Sequence, residues 1–415
     1  MVLTERQRNE LHLAIHDYLQ SQGKAFEGAL RAFEADAEVN ASPPESRGLL
    51  EKKWTSVVRL QRKVMELEQR VEELQKKGGG AVRPGRDRGD GRCLPRAPPK
   101  AVLSGHRSPV TAVALHPKYT LLVSGGEDAT MKVWDYESGE FERTLKGHTN
   151  AVQHVAFNAV GNMLASCSAD LTIKLWEFAD AYPCVRTLRG HDHNVSCIAF
   201  LPSSAELVSC SRDKTIRVWE VATGYSLRTL QGHTDWVRSV AVSADGALLA
   251  SCGNDRSVRI WNLADGHLLH DLREHEHVVE SVAFSNGTAD KAVSIALASA
   301  AAGSGGGGAA ESLYLVSASR DKTVKLWRAL TGECLRTFAD HDNWVRCALV
   351  HPTGPFILSC SDDRSIRVFD AATGRCVRAL EEAHEHFVTA IAMSATAGVL
   401  ASAGVDKNIH IWECV

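Results

Sequence analysis

Seven copies of one spaced motif constrain the fold of this chain more than any other feature of its sequence. Each unit opens on a histidine: His106, His148, His191, His233, His275, His341 and His384. An aspartate follows 22 residues later in six units: Asp128, Asp170, Asp213, Asp255, Asp363 and Asp406. In the fifth unit Asp321 follows 46 residues after the histidine, so this unit carries 24 extra residues. A sustained repeat of this kind indicates one supersecondary unit per copy.

Two further positions keep the same frame in every unit. An aromatic residue stands six residues after each aspartate: Trp134, Trp176, Trp219, Trp261, Trp327, Phe369 and Trp412. A serine stands four residues before each aspartate: Ser124, Ser166, Ser209, Ser251, Ser317, Ser359 and Ser402. Short β-branched runs such as AVQHVAF and TIKLW lie between these marks and are typical of short antiparallel strands.

This arrangement resembles the WD-repeat family, which implies an all-β seven-bladed WD-repeat propeller over residues 100–415. In each blade the indole N–H, the hydroxyl, the imidazole and the carboxylate can satisfy one another when buried. The expected network includes His148, Ser166, Asp170, Trp176, His191, Asp213, Trp219, His341 and Asp363. Residues 100–104 have strand character without a unit before them, so we expect them to complete the last blade and close the ring.

Serine, histidine and aspartate are also the residue types of a hydrolase triad, but an enzyme places them once, in a cleft. Here they recur seven times, and neither a nucleophile-elbow motif nor a P-loop occurs. The chain has eleven cysteines without a CxxC pair, and Cys167, Cys210, Cys252 and Cys360 keep one register of the repeat. They indicate structural thiols of a reducing compartment. We therefore expect no catalysis, no cofactor and no metal site.

Charge and hydropathy exclude two classes of partner. The net charge of −3 provides no basic field for nucleic acid, and the N-terminus lacks the apolar core of a secretory signal. No apolar run predicts membrane insertion. The extra residues of the fifth unit, at about 285–312, are expected between the first two strands of their blade, on the face opposite the His and Asp loops. Their stretch 292–310, rich in Ala, Ser and Gly, predicts a loop.

The first hundred residues predict a dimer. An apolar heptad over residues 50–76 indicates a parallel two-stranded coiled coil, with a seam that includes Val57, Leu60, Val64, Leu67, Val71 and Leu74. Residues 1–40 resemble the LisH dimerisation motif, a helical hairpin with the apolar set Leu11, Ile15, Tyr18, Leu19, Leu30 and Phe33. An amphipathic hairpin without that identity is the alternative. Residues 77–99, rich in Gly, Pro and Arg, predict a flexible basic linker.

A LisH-like motif, a coiled coil, a tether and a seven-bladed propeller together resemble the lissencephaly-1 (nudF) family of dynein regulators. Local matches include LLEKKWTSVVRLQRKVMELE, GEDATMKVWDYESGEFERTLKGHT and HDNWVRC. The resemblance implies a non-enzymatic homodimeric adaptor of the cytoplasmic dynein motor domain that acts in nuclear positioning, mitosis and organelle transport. It also implies nudE-type coiled-coil partners, mainly indirect microtubule contact, and a cytoplasmic location at the cytoskeleton, centrosome or spindle pole.

Two other functions stay open. The same family supports an accessory subunit of a platelet-activating-factor acetylhydrolase, in which a partner carries the enzyme chemistry. A LisH and WD-repeat chain also suits a nuclear corepressor or a ubiquitin-ligase adaptor. The sequence shows no F-box-like segment and no basic nuclear-localisation cluster, which disfavours the latter.

Residues that depart from the repeat indicate where a partner binds. Directly before the aspartate, arginine occurs only as Arg212 and Arg320. Three residues after the histidine, tryptophan occurs only as Trp236 and Trp344, and five after it arginine occurs only as Arg238 and Arg346. All six fall in units three to six at the His and Asp end of the ring, and Trp and Arg are enriched at interface hot spots. The resemblance implies that Arg212, Arg238, Arg320 and Trp344 contact dynein.

We predict that residues 1–76 hold the protein as a parallel dimer, because the Val/Leu seam and the LisH-like helices bury apolar stripes that a monomer exposes. Light scattering at micromolar concentration is expected to give the mass of a dimer for the full chain and of a monomer after deletion of 1–76. A monomeric full chain, or a deletion variant that stays dimeric, contradicts the prediction.

Overall fold

The structure is a computed structural model and describes residues 93–178, 182–300, 313–394 and 397–414. These residues form seven four-stranded antiparallel sheets. The sheets are the blades of the predicted propeller, so the fold class is confirmed. In the described part of the chain, no helix is long and apolar enough to cross a membrane. The LisH-like motif, the coiled coil and linker residues 77–92 lie outside the described residues.

The first four blades follow one another along the chain. Blade one holds β2 (Val110–Leu115), β3 (Leu121–Gly126), β4 (Thr130–Asp135) and β5 (Phe141–Lys146). Blade two holds β6 (Val152–Phe157), β7 (Met163–Ser168), β8 (Thr172–Glu177) and β9 (Cys184–Arg189). Blade three holds β10 (Val195–Phe200), β11 (Glu206–Ser211), β12 (Thr215–Glu220) and β13 (Ser226–Gln231). Blade four holds β14 (Val237–Val242), β15 (Leu248–Gly253), β16 (Val258–Asn262) and β17 (Leu268–Leu272).

The remaining blades differ in an insertion and in the closing strand. Blade five holds β18 (Val279–Phe284), β19 (Tyr314–Ser319), β20 (Val324–Arg328) and β21 (Glu333–Phe338), with helix α1 (Gly287–Ala300) between β18 and β19. Blade six holds β22 (Val345–Val350), β23 (Phe356–Ser361), β24 (Ile366–Asp370) and β25 (Cys376–Leu380). Blade seven holds β26 (Val388–Met393), β27 (Val399–Gly404), β28 (Asn408–Glu413) and, from the start of the propeller, β1 (Ala101–Ser104).

Ring closure brings the first and last strands of the propeller into one blade. β1 pairs antiparallel with β28, in the register Ala101 to Ile411 through Ser104 to Asn408. A single blade therefore contains both ends of the propeller, and no blade is left with three strands. This confirms the predicted role of residues 100–104 as the outer strand of the last blade.

Apolar side chains between neighbouring blades form the core. The second strands are almost fully buried, and the small position three residues before each aspartate faces the next blade. A Cβ added at Gly125 in blade one would lie 2.8 Å from a methyl of Val152 in blade two. This close packing explains why Gly, Ala or Cys occupies the position, and the four cysteines there are fully buried and free.

The repeated polar residues form a buried hydrogen-bonded relay in each blade. The histidine Nδ1 lies 2.7–3.0 Å from an aspartate oxygen, and Nε2 lies 2.7–2.8 Å from the serine Oγ. A carboxylate only accepts, so Nδ1 carries the hydrogen and Nε2 accepts from the serine hydroxyl. The tryptophan Nε1–H donates to the same serine oxygen at 2.7–2.9 Å in six blades. Blade six has Phe369 instead, so Ser359 lacks this donor.

Each relay also holds the loops at its end of the ring. The aspartate accepts the backbone N–H of the residue that follows the histidine, at 3.0–3.2 Å. The histidine loop enters the first strand of a blade, and the aspartate lies in the turn between its second and third strands. The relay therefore joins two loops on one side of the ring. We call this side the His/Asp face.

The insertion of blade five lies between β18 and β19, as predicted. The prediction of a loop over 292–310 is wrong for residues 292–300. Helix α1 runs from Gly287 to Ala300. Asn286 caps it, because its Oδ1 accepts the backbone N–H groups of Thr288 and Ala289. Ala289 and Val293 are fully buried against blade five. High alanine content favours a helix, and this apolar stripe stabilises it on the sheet.

The end of the predicted linker packs on the ring. His351 donates from Nε2 to the carbonyl of Cys93 at 2.9 Å, and Arg378 donates to the carbonyls of Leu94 and Pro95 at 3.0 Å. Leu94 is buried beside blades six and seven. The flexible segment predicted for 77–99 is therefore expected to end before Cys93 rather than at residue 99.

We predict that acid weakens the propeller through its relays. Burial lowers the pKa of His106 and His148 below the usual 6.5. As pH falls, these histidines therefore become protonated in the unfolded chain before they do in the folded protein. Burial alone would raise the pKa of Asp128, but hydrogen bonds from Thr130, the Arg107 backbone and His106 outweigh it and lower the pKa to about 2, from 3.8. Stability should therefore decline below pH 6.5 and again between pH 3.8 and about 2.

Thermal melting across a pH series measures this dependence. The midpoint is expected to be flat above neutral pH and to fall in two stages on acidification. A midpoint that rises on acidification from neutral pH contradicts the assignment of neutral buried histidines and ionised aspartates.

Candidate functional site

The six residues that depart from the repeat lie together on the His/Asp face, in blades three to six. Arg212 and Arg320 lie in the turns after β11 and β19, and Trp236 and Trp344 lie in the loops before β14 and β22. Arg238 and Arg346 lie on β14 and β22 themselves. All six side chains are half-buried. We call this set the Arg–Trp patch.

Two stacks of the same construction make up the patch. In the first, the guanidinium carbons of Arg212 and Arg238 lie 4.5 and 5.7 Å from the ring centroid of Trp236. In the second, those of Arg320 and Arg346 lie 4.4 and 5.3 Å from the ring centroid of Trp344. Each tryptophan thus has one arginine from the preceding blade and one from its own blade. Cation–π attraction stabilises both indoles against the ring.

A histidine of the preceding blade lies beside each indole. The rings of His193 and Trp236 are 6.1 Å apart, and those of His277 and Trp344 are 6.3 Å apart. Each histidine accepts a backbone N–H at Nδ1 from the next residue, at 2.8 Å, which orients its ring. Both tryptophans are therefore placed by side chains from two blades.

Glu280 on β18 lies between the two stacks and joins them. Its carboxylate accepts a hydrogen bond from Arg320 Nε and lies 3.7 Å from Arg238 Nη1 and 3.6 Å from Arg346 Nη1. The glutamate side chain is only 9 % exposed, so water screens these attractions weakly. One carboxylate in blade five therefore organises arginines from blades four, five and six.

Two further residues hold the arginines of the first strands. Arg346 donates from Nε and Nη2 to the two oxygens of Asp362, both at 2.7 Å, in a bidentate pair. Arg238 donates from Nε to Asn254 Oδ1 at 2.8 Å. Asp362 and Asn254 occupy the position that Arg212 and Arg320 hold in the other two blades. The patch arginine therefore precedes the relay aspartate in blades three and five, and lies on the first strand in blades four and six.

The pKa shifts of the two first-strand arginines follow from these partners. Burial lowers the pKa of Arg238, and the neighbouring arginines add to this effect although Glu280 opposes it. Burial also acts to lower the pKa of Arg346, but the hydrogen bonds and charge of Asp362 outweigh it and raise the pKa. Both guanidiniums remain charged at neutral pH, because arginine deprotonates only at strongly basic pH.

The patch borders the mouth of the central channel. This cavity of about 680 Å³ is lined by the first strands of the blades and includes Arg238, Glu280, Arg346 and Asp362. Deeper residues such as Val240 and Ala348 line it with apolar atoms. The charged side chains therefore lie where a partner covering the His/Asp face would meet them.

The repeated Ser–His–Asp sets are arranged for structure. Ser166 Oγ is fully buried, lies 2.8 Å from His148 Nε2 and accepts the indole N–H of Trp176 at 2.9 Å. A nucleophile needs a hydroxyl open to substrate and an oxyanion site next to it. The serine here is occupied by two side chains of its own blade, as are its equivalents in the blades that carry tryptophan.

Comparison of the seven repeat units predicted that the six patch residues lie at the His/Asp end of the ring, where the structure has them. The same comparison did not single out Glu280. The signal was available, because five residues after the histidine a glutamate occurs only in blade five. That position alternates here as Arg238, Glu280 and Arg346 in consecutive blades. A lone acidic residue between two arginines at one repeat position indicates an ion-pair network across blades.

The WD domain, G-beta repeat model matches seven segments: 97–135, 139–177, 182–220, 224–262, 309–328, 332–370 and 374–413. The PAC1 LisH domain model matches residues 5–42, which overlap the LisH-like motif predicted for residues 1–40. Together these matches bear out the two motif families that the sequence indicated.

Two curated relatives are similar to this chain. The Lissencephaly-1 homolog of Heterostelium pallidum is 56 % identical over 418 aligned residues, which cover 100 % of both chains. The Lissencephaly-1 homolog of Branchiostoma floridae is 52 % identical over 148 residues, 35 % of this chain and 36 % of that protein. With its LisH segment and seven WD repeats, the chain therefore belongs to the lissencephaly-1 family.

Proposed function

We propose that the protein is a non-enzymatic homodimeric adaptor that binds the cytoplasmic dynein motor domain through the Arg–Trp patch and regulates minus-end-directed motility on microtubules. In this role the protein acts in nuclear positioning, mitosis and organelle transport. It acts in the cytoplasm, at microtubules and at centrosomes or spindle poles, with nudE-type coiled-coil proteins as further partners. Membership of the lissencephaly-1 family supports this class of function.

The single observation that carries the choice of surface is the pair of Arg–Trp–Arg stacks joined by Glu280. Tryptophan and arginine contribute large contact area and directed hydrogen bonds, so they dominate the energy of many interfaces. The stacks also restrict these side chains before a partner arrives. Binding then costs less side-chain entropy than it would for free arginines on a surface.

Charge indicates the chemistry of the partner surface. The patch holds four arginines, and the two acids that pair with them, Glu280 and Asp362, leave a net charge of +2. Burial of this charge requires acidic groups on the partner. We therefore propose an acidic surface of the motor domain as the occupant, with an association rate that falls as salt is added.

The N-terminal dimer adds avidity in this proposal. A tether of linker residues lets two propellers reach two sites, so the second binding event is intramolecular. Dimeric motors then bind the full chain more tightly than they bind one propeller. This part of the mechanism depends on residues outside the described part of the chain.

We predict that Arg320→Ala together with Trp344→Ala abolishes binding of the dynein motor domain while the propeller stays folded. The double variant removes one stack but no member of a relay. Pull-down of purified motor domain, with thermal melting of the same samples, measures both properties. Binding at wild-type strength in the double variant contradicts the choice of this face.

Two controls separate recognition from folding. Tyr119→Ala with Arg375→Ala removes an exposed aromatic residue and an exposed arginine from the opposite face, and should leave binding unchanged. Asp321→Ala leaves His275 without its carboxylate acceptor and should destabilise the propeller by about 1 to 3 kcal/mol. This variant should melt at a lower temperature than wild type. The molecules that remain folded should still bind the motor domain.

We predict that Glu280→Gln loosens both stacks. Three arginines lose the charge that draws them together, so the variant should be about 1 to 3 kcal/mol less stable in chemical denaturation. It should also bind the motor domain more weakly, because the guanidiniums are no longer held in place. Glu276→Gln, an exposed glutamate of the same blade, is the matched control. Equal stability and affinity for the two variants would show that Glu280 does not organise the patch.

A further inference from the structure

Two blades place a cysteine of the first strand directly opposite a cysteine of the second. The first-strand position lies six residues after the histidine and lines the central channel; its occupants are Ala112, His154, Cys197, Ser239, Ser281, Cys347 and Ala390. Cys197 of blade three lies opposite Cys210, and Cys347 of blade six lies opposite Cys360. The other five blades have no cysteine at the channel position, so the fold does not require one there.

The spacing of such a pair suits a disulfide bond that is easily broken again. Directly opposite residues of an antiparallel pair have Cα and Cβ atoms about 4.5 to 5.5 Å apart. A disulfide accepts this Cα distance, but it needs Cβ atoms about 3.5 to 4.5 Å apart. The two strands must therefore move slightly closer, and the strain makes the bond more reducible.

Access from the channel distinguishes the pair of blade six. Cys347 is partly exposed in the cavity of about 680 Å³ and packs against the apolar cluster that contains the fully buried Cys360. In blade three, Cys197 is only 5 % exposed, and its thiol donates to the carbonyl of Val240 in blade four at 3.7 Å. A small solute in the channel can therefore reach the sulfur of Cys347 more readily than that of Cys197.

The two thiols of blade six also differ in acidity. The hydrogen bond from Cys360 holds the pKa of Cys347 below its usual range against the effect of burial, and the Ile391 N–H and the Ser281 hydroxyl add to this effect. Burial raises the pKa of Cys360 well above its usual range. Cys360 thus stays a thiol that donates to Cys347, and the thiolate is the form of cysteine that peroxides oxidise.

We propose that Cys347 and Cys360 form a peroxide-sensitive thiol pair, in which hydrogen peroxide converts the two thiols into a disulfide between β22 and β23. The Cys347 sulfur attacks one peroxide oxygen, so an S–O bond forms, the O–O bond breaks and hydroxide leaves as water after taking up a proton. The Cys360 sulfur then attacks the Cys347 sulfur; the S–S bond forms, the S–O bond breaks and a second water leaves. Two thiols are oxidised, and one peroxide is reduced to two waters.

The position of the pair links it to the Arg–Trp patch. Arg346 directly precedes Cys347, and Asp362 follows Cys360 by two residues. The two 2.7 Å hydrogen bonds between Arg346 and Asp362 therefore join the same two strands that the disulfide draws together. Oxidation should displace this bidentate pair and weaken partner binding, a consequence that rests on the proposed function.

The test treats the reduced full chain with hydrogen peroxide, blocks the remaining thiols with iodoacetamide and maps the unreduced peptides by mass spectrometry. Wild type is expected to yield peptides linked through Cys347 and Cys360, in at least about 10-fold greater amount than peptides linked through Cys197 and Cys210. Reduced glutathione should remove the link, because a strained disulfide has a high reduction potential.

Three variants at repeat positions assign the role of each sulfur. Cys360→Ala gives blade six the residue that blades five and seven hold, and its Cys347 should stop at the sulfenic acid, which dimedone labels. Cys347→Ser, with the residue of blades four and five, should form neither the link nor the label. Cys197→Ser is the matched control in blade three and should form the Cys347–Cys360 link as wild type does.

Cys93 and Cys414 are a competing pair, since the Cys93 thiol donates to the carbonyl of Cys414 at 2.8 Å. Burial raises the pKa of both thiols, so they should react more slowly with peroxide. Absence of the Cys347–Cys360 link at a peroxide concentration that oxidises the exposed Cys184 overturns the proposal. Absence of dimedone from Cys347 in the Cys360→Ala variant also overturns it.

Binding of purified dynein motor domain measures the link to the patch. The oxidised wild type should bind at least about 5-fold more weakly than the reduced form, and peroxide should leave binding by Cys347→Ser unchanged. Equal binding by oxidised and reduced wild type overturns the effect on the patch. Failure of the reduced chain to bind contradicts the proposed function instead, because the peptide map tests the thiol pair without a partner.

Discussion

The hydrogen bond from a buried histidine to a buried aspartate is the interaction on which this molecule depends. It occurs in all seven blades at 2.7–3.0 Å, and it joins the loop that enters a blade to the turn between the second and third strands. In the six blades that carry tryptophan, the serine and the tryptophan complete the relay, so four buried polar side chains satisfy one another. The loops of one face are thereby held in place by the blades themselves.

A rigid face explains why the Arg–Trp patch can be built from loop residues. Trp236 and Trp344 follow relay histidines by three residues, and Arg212 and Arg320 directly precede relay aspartates. These four residues are therefore fixed at their base by a relay, and Glu280 then joins arginines of three blades. Recognition residues placed in this way need no rearrangement before they meet a partner.

The repeat made much of this structure predictable. Seven copies of four spaced residues predict the blades, the relay and the face on which the loops lie, and the unpaired strand at 100–104 predicts closure. The ion pairs between blades were harder to predict from the sequence, because Glu280 is one residue in one blade and its partners come from strands far apart in sequence. Helix α1 was missed because composition alone favoured a loop, whereas the Asn286 cap and the buried Ala289 and Val293 stabilise a helix.

The fold does not require the residues that depart from the repeat, and we propose that those on the His/Asp face form the partner site. Hydrogen exchange of the full chain, with and without the dynein motor domain, tests it most directly. The account predicts slower exchange in the loops before β14 and β22, with no change in the β2–β3 and β24–β25 connections on the opposite face. Slower exchange confined to the opposite face, or to the insertion of blade five, would contradict it.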